Sequence, residues 1–171
     1  MKKSLSERDI CTKFITPALL SAGWDLHAQI REEVTFTKGR ITVRGKLHTR
    51  GETKRADHIL YYRPNIPIAL IEAKDPTHTV GAGMQQGLGY ADTLDIPFVY
   101  SSNGSGFLEH DRTGQSDPVE RELALSEFPS PDALWARYCR WKGLEAPEAR
   151  KVIEQDYHLD ASGKAPRYYQ L

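Results

Sequence analysis

Three residues in the middle of the chain, Asp57, Glu72 and Lys74, have types and spacings suited to cutting a phosphodiester. Asp57 opens the run Asp57-His-Ile-Leu-Tyr-Tyr62, and Glu72 and Lys74 close the run Ile68-Ala-Leu-Ile-Glu-Ala-Lys74. Such apolar runs read as strands buried on both faces in the centre of a sheet. A segment containing Arg63-Pro64-Asn65 joins them. If the hairpin turns about Pro64-Asn65, residue i lies opposite residue 129 − i, and Asp57 lies opposite Glu72. Directly opposed residues share a face, with Cβ atoms about 4.5–5.5 Å apart. Two carboxylates that close both stay ionised only with a cation between them. Mg2+ accepts such a set: two carboxylates and a backbone carbonyl, with positions left for water and phosphate oxygens. Lys74, two residues beyond Glu72, shares its face. There an ammonium can orient or help deprotonate a metal-activated water and neutralise a phosphate. Ala73 points into the opposite apolar layer. A one-residue slip of register would carry Asp57 to the other face. An isolated Glu-x-Lys also fits a solvated edge hairpin with a salt bridge. The apolar flanks weigh against that reading, because buried carboxylates without a partner are costly.

The elements that must position these residues can be read on either side. Ser6 with Asp9 forms a capping-box start to a helix whose apolar face is Ile10, Phe14, Ile15, Leu19 and Leu20. Pro17 should kink or break it near Thr16, and Gly23 should stop it. Val34, Phe36, Ile41 and Val43 alternate about Lys38-Gly39 as a β-hairpin, followed by a basic loop from His48 to Lys54. Gly81 to Leu94 reads as a helix despite its glycines, since Met84, Leu88 and Ala91 recur at helical spacing. Pro97 to Ser102 reads as a buried strand, paired with Gly106 to His110 across a turn at Asn103-Gly104. Ser130-Pro131 caps a last helix through Leu134, Trp135 and Tyr138, and the sequence turns polar after Gly143. This order of elements gives an α/β sandwich around one mixed sheet.

Composition bounds the function classes. The chain has 171 residues, 39% hydrophobic and 27% charged, which suits one globular domain with a modest tail. Lysine plus arginine equal aspartate plus glutamate at 23 each, so net charge names no partner. Distribution says more: seven cations against one acid between Lys38 and Arg55 can follow a phosphate backbone or simply coat a solvated hairpin. Cys11 and Cys139 belong to no Cys/His cluster, which argues against a zinc site or a disulfide framework. The six histidines lack metal spacing, and Asn103-Gly104-Ser105-Gly106 lies between strands, where a turn outweighs a phosphate cradle. No apolar run approaches the roughly 20 residues that span a bilayer. The expectation is a cytoplasmic protein with no membrane partner.

Asp57 followed by Glu72-Ala73-Lys74 resembles the PD-(D/E)xK nuclease motif, with Ala56 where the usual proline would stand. Gln86-Gly-Leu-Gly-Tyr90 is similar to the QxxxY motif of a subset of these nucleases, its two ends sharing one helix face. Lys54-Arg55-Ala56-Asp57, Tyr61-Tyr62-Arg63-Pro64-Asn65 and Ile71-Glu-Ala-Lys-Asp-Pro76, with Ser6-Glu7 and Ala22-Gly23-Trp24, resemble the N-terminal domain of type I restriction enzyme R subunits over roughly residues 5 to 130.

The resemblance implies a restriction-endonuclease-like core, α/β with a central mixed β-sheet flanked by helices. It implies a Mg2+-dependent DNA endonuclease, with Mn2+ able to substitute, that hydrolyses unmodified foreign DNA after ATP-driven translocation. Asp57 and Glu72 would hold the metal and Lys74 would complete the catalytic set. Gln86, Tyr90, Lys54 and Arg55 would contact nucleic acid. Glu7 would be an additional acid, the other reading being an ordinary first-turn glutamate favouring the helix dipole. The implied partners are double-stranded DNA and the modification and specificity subunits of the complex. ATP would belong to a motor beyond this chain, which contains no GxxxxGK[ST]. Pro166-Arg167-Tyr168-Tyr169-Gln170 is similar to the segment that opens the helicase-like motor. The expected division is therefore a nuclease domain over residues 1–142 and a linker over 143–171. Two readings compete: a nuclease-like module that binds DNA or other subunits without cutting, and the nuclease of another helicase-coupled defence or repair system.

Overall fold

A computed structural model of the chain describes residues 4–37, 40–41 and 53–144. Val43, most of the basic loop and the tail with its linker reading lie outside the described residues. Seven strands form one mixed sheet in the order β2-β1-β3-β4-β5-β6-β7. They are β1 (Ile30–Thr37), β2 (Arg40–Ile41), β3 (Lys54–Arg63), β4 (Ile66–Ala73), β5 (Phe98–Ser102), β6 (Phe107–Asp111) and β7 (Glu120–Leu123). Among the described residues only β4 and β5 pair in parallel, and the crossover between them carries helix α3 (Met84–Leu94). That is the geometry a parallel pair demands, since a short turn cannot return the chain in the same direction.

The β3–β4 hairpin follows the register read from the sequence where it matters. His58 pairs with Ile71, Ile59 with Leu70 and Leu60 with Ala69, each pair obeying the 129 − i rule. Near the turn the ladder shifts, with Tyr61 opposite Pro67, where proline has no N–H to give. β3 starts at Lys54, three residues earlier than the apolar run suggests. β1 supplies ladder partners there: Phe36 for Lys54, Thr35 for Arg55 and Val34 for Ala56. Backbone pairing thus overrides the polar side chains.

Each face of the sheet buries its own apolar layer. On one lie the N-terminal helical segments and α4 (Pro131–Lys142), with Ile10, Ile15, Leu19, Trp24 and Leu134 packed on Ile71, Tyr100 and Phe107. On the other lies α3, with Met84 and Ala91 on Ile59, Leu70 and Val99.

The N-terminal helix begins as its cap predicts. Ser6 Oγ accepts from Asp9 N at 3.1 Å while Ser6 N donates to Asp9 Oδ2 at 2.9 Å. Pro17 does not break it. α1 (Glu7–Ile10) runs into a π-helical segment, Cys11–Ile15, and continues as α2 (Thr16–Ser21). Thr16 N donates to Cys11 O, and this wider turn accommodates a residue that can neither donate nor tolerate a close carbonyl. Gly23, at φ +105°, ends it as a Schellman motif, with Trp24 N on Leu19 O and Gly23 N on Leu20 O.

Three further details depart from the sequence reading. α3 starts at Met84 rather than Gly81, because Gly83 N is spent on Ser101 Oγ at 2.9 Å. β4 ends at Ala73, one residue before Lys74. β7 was not anticipated, since Glu-Arg-Glu-Leu lacks apolar alternation. The aromatic face of α4 is packing: Trp135 stacks on Tyr62 with centroids 4.5 Å apart, and Tyr62 OH donates to Asp132 Oδ1 at 3.0 Å. Among the described residues no helix is long and apolar enough to cross a membrane.

Candidate active site

The site forms where the β3–β4 ladder opens. Beyond the His58–Ile71 pair the carboxylates take over as partners: Asp57 N donates to Glu72 Oε2 at 2.9 Å, and Ala73 N donates to Asp57 Oδ2 at 2.8 Å. Each side chain is thereby fixed by one oxygen on the neighbouring strand. The other oxygens, Asp57 Oδ1 and Glu72 Oε1, accept no hydrogen bond from the described residues. Ala73 belongs to the opposite apolar layer, as period-two geometry requires.

Glu72 is buried at 3% exposure. Burial, then the neighbouring charge of Asp57, pushes its carboxyl up to about 8, only partly offset by the Asp57 N–H and by Lys74. Glu72 in this setting resists ionisation unless a cation lies beside it.

Helix α3 reaches this pair through two glycines. A Cβ at Gly83 would stand 3.1 Å from Glu72 Cβ and 3.0 Å from Ser101 Oγ, and one at Gly87 only 2.9 Å from Val99 Cγ1. Glycine is what allows such close approach of helix and sheet. The helix then presents Gln86 and Tyr90 together, with Gln86 Nε2 donating to Tyr90 OH at 2.7 Å. Tyr90 rests edge-on against Phe36, centroids 5.1 Å apart.

Glu7, Lys54, Arg55, Gln86 and Tyr90 line one cleft with Asp57 and Glu72. Lys74 N donates to Ser102 O at 2.9 Å, and its Nζ is 4.0 Å from Glu7 Oε2. Seven of the eight candidate residues thus line one cavity, and Lys74 is joined to it through Glu7. Glu7 arrives there facing Lys74. Among the described residues no group of three or more His, Cys, Asp or Glu is close enough to hold a metal ion. The donor set is two carboxylates with free oxygens, which suits Mg2+, an ion that keeps several waters and takes one or two carboxylates plus substrate oxygens.

Sequence reasoning missed Glu33. It falls between the pairs Glu32–His58 and Val34–Ala56, hence across β1 from Asp57, and its φ is +50°. His58 is fully buried, with Nε2 3.6 Å from Glu32 Oε2 and 3.4 Å from Thr16 Oγ1. Cys11 is no nucleophile, because burial and the surrounding carboxylates push its thiol up to about 12. Gly83 and Gly87 were visible as glycines in a helical pattern, which often marks close packing.

Comparison with known proteins finds relatives of the chain. The family model described as the N terminus of the type I restriction enzyme R protein matches residues 26–121. The chain is 50% identical over 169 residues to the type I restriction enzyme EcoAI endonuclease subunit of Escherichia coli, covering 98% of this chain and 21% of that protein. It is also similar to a solved fragment of an HsdR-type subunit of a type I restriction enzyme from Vibrio vulnificus YJ016. That match has a TM-score of 0.70 and 42% identity, covering 85% of this chain and 27% of that one. The chain therefore spans about a fifth of the length of the curated relative it matches.

Proposed function

Because this chain belongs to the family of type I restriction enzyme R protein N-termini, we propose that it is a Mg2+-dependent DNA endonuclease domain, with Asp57, Glu72 and Lys74 as its catalytic set. The observation that carries this reading is the opened β3–β4 rung. Two carboxylates are each fixed by one oxygen, and the other oxygen is left for a ligand. Asp57 and Glu72, each oriented by a backbone hydrogen bond from the neighbouring strand, would hold Mg2+, which when bound would supply an activated water and a Lewis acid toward the phosphate. Lys74 holds an ammonium beside the pair, where it steadies the attacking water or the charge building on phosphate oxygens. Gln86 and Tyr90, locked to each other on α3, set the far wall of the cleft and orient the DNA strand. Lys54 and Arg55 meet its backbone at the rim. Residues 1–142 make up this nuclease unit and 143–171 lead toward an ATP-driven motor. The partners of the whole subunit are the modification and specificity subunits, and its substrate is unmodified foreign DNA in the cytoplasm.

Plasmid nicking in Mg2+ or Mn2+ tests the reading. Asp57→Ala, Glu72→Ala and Lys74→Ala should each cut at least about 100-fold more slowly than the parent, since even loss of a residue supporting a metal ligand costs 10–100-fold. Equal cutting by the parent and Asp57→Ala contradicts it. DNA binding with neither metal binding nor cutting points instead to a binding module.

A further inference from the structure

On the α1 side of Asp57, two guanidinium groups from different elements converge on one carboxylate. Arg8 Nη1 lies 3.0 Å from Glu33 Oε2, and Arg55 Nη1 lies 3.4 Å from Glu33 Oε1. The three residues line a concavity that also includes Asp57 and Glu7. Glu33 stands one strand away from Asp57, a lateral step of about 4.8 Å. Its backbone is held at φ +50°, a conformation that non-glycine residues rarely adopt.

Nothing in the packing asks for this arrangement. The side chains are 80% exposed for Arg8, 65% for Arg55 and 47% for Glu33, and exposed ion pairs contribute little to stability. The chemistry fits a different task. One carboxylate oxygen on each arginine is the same contact that the two non-bridging oxygens of a phosphodiester would make. Arg55 also lines the Asp57–Glu72 cleft, so a duplex backbone crossing that cleft meets Arg55, with Arg8 in the adjoining concavity.

We propose that Arg8 and Arg55 form a phosphate clamp for a backbone phosphate next to the scissile one, and that Glu33 occupies the clamp until DNA displaces it. Glu33 thereby keeps the two arginines oriented and sets a threshold that only a backbone making several contacts at once overcomes. The inference rests on the nuclease reading for the position of the scissile phosphate, yet it concerns binding and is tested without cutting.

The experiment is fluorescence anisotropy of the full chain with a labelled DNA duplex in EDTA, over a series of salt concentrations. Glu33→Gln should bind several-fold more tightly than the parent. Arg8→Ala and Arg55→Ala should each bind more weakly, and the double variant should reduce the slope of log K against log salt by about 0.9, the value for one phosphate contact. In the Arg8→Ala/Arg55→Ala background, Glu33→Gln should have no further effect. Circular dichroism of each variant separates lost contact from lost fold. Unchanged affinity in both arginine variants, an unchanged slope in the double variant, unchanged affinity in Glu33→Gln, or no duplex binding by the parent overturns the clamp. If binding responds as expected but no metal ever supports nicking, the clamp stands and the nuclease reading fails.

Discussion

Two pairs of carboxylates sit in the same sheet, one wholly buried and one with only Glu72 buried, and they are treated in opposite ways. On β6, Glu109 and Asp111 are 1% and 2% exposed, and every one of their oxygens is occupied. Arg137 of α4 reaches Glu109 Oε2 at 3.1 Å and Asp111 Oδ2 at 3.1 Å, and Arg121 Nε reaches Glu109 Oε1 at 3.0 Å. Tyr100 OH donates to Glu109 Oε2 at 2.6 Å, Ser116 Oγ to Asp111 Oδ2 at 2.6 Å and Thr113 N to Asp111 Oδ1 at 2.8 Å. Burial pushes both carboxyls up, but Arg137 and these hydroxyl and amide donors outweigh it and hold them below the ordinary range. At the β3–β4 opening, Glu72 is also deeply buried and is pushed up to about 8, and among the described residues no guanidinium is paired with Asp57 or Glu72. The β6 cluster is closed and ties α4 to the sheet. The Asp57–Glu72 pair is open, with one oxygen of each carboxylate accepting no hydrogen bond from the described residues.

The contrast can be broken most severely at Arg137. Arg137→Ala should strand Asp111 as a buried charge, leave Glu109 with Arg121 alone and destabilise the fold by about 3–5 kcal/mol, read by urea unfolding. A loss below about 1 kcal/mol would mean that the β6 cluster is not closed by that residue.

A comparable loss of stability is expected from a rise in pH. In metal-free protein the folded-state value of Glu72, about 8, lies above its ordinary 4.5. Between those limits the folded state keeps a proton that the unfolded chain gives up. Stability should therefore fall by on the order of a few kcal/mol as pH rises from about 4.5 to 8, and level off above. Glu109 and Asp111, with depressed values, should act only at the acid end, their contribution fading as pH drops through the folded-state range. Urea titrations in EDTA from pH 4 to 8.5 should show the neutral slope in the parent and a flat line in Glu72→Gln. Parallel curves for the two proteins would show that the open pair carries no charge penalty.

How much of this was legible in the sequence follows from which contacts are local. A two-residue turn and a period of two were enough to set Asp57 against Glu72, and an i,i+4 spacing was enough to put Gln86 beside Tyr90. Ser6 with Asp9 announced the helix start. Contacts between distant segments left no such trace. Glu33 meets Asp57 only because β1 adds to β3 in one particular register. Glu109 and Asp111 alternate along a strand as surface acids do, and only the placement of α4 brings Arg137 onto them. β7 is a strand because β6 offers it an edge, and its own residues would not specify one. The π-helical passage before Pro17 shows the same limit, since a local rule identified the conflict without its resolution.

The central claim is that the open pair is a cation site. The direct measurement is calorimetric titration of the chain with Mg2+ and Mn2+ at pH 7, in buffers of different ionisation enthalpy. Metal binding to ligands that must deprotonate releases protons. The account predicts a saturable site with proton release as Glu72 ionises, lost in both Asp57→Ala and Glu72→Gln. Absence of binding in the parent, or identical isotherms for the parent and Asp57→Ala, would contradict it.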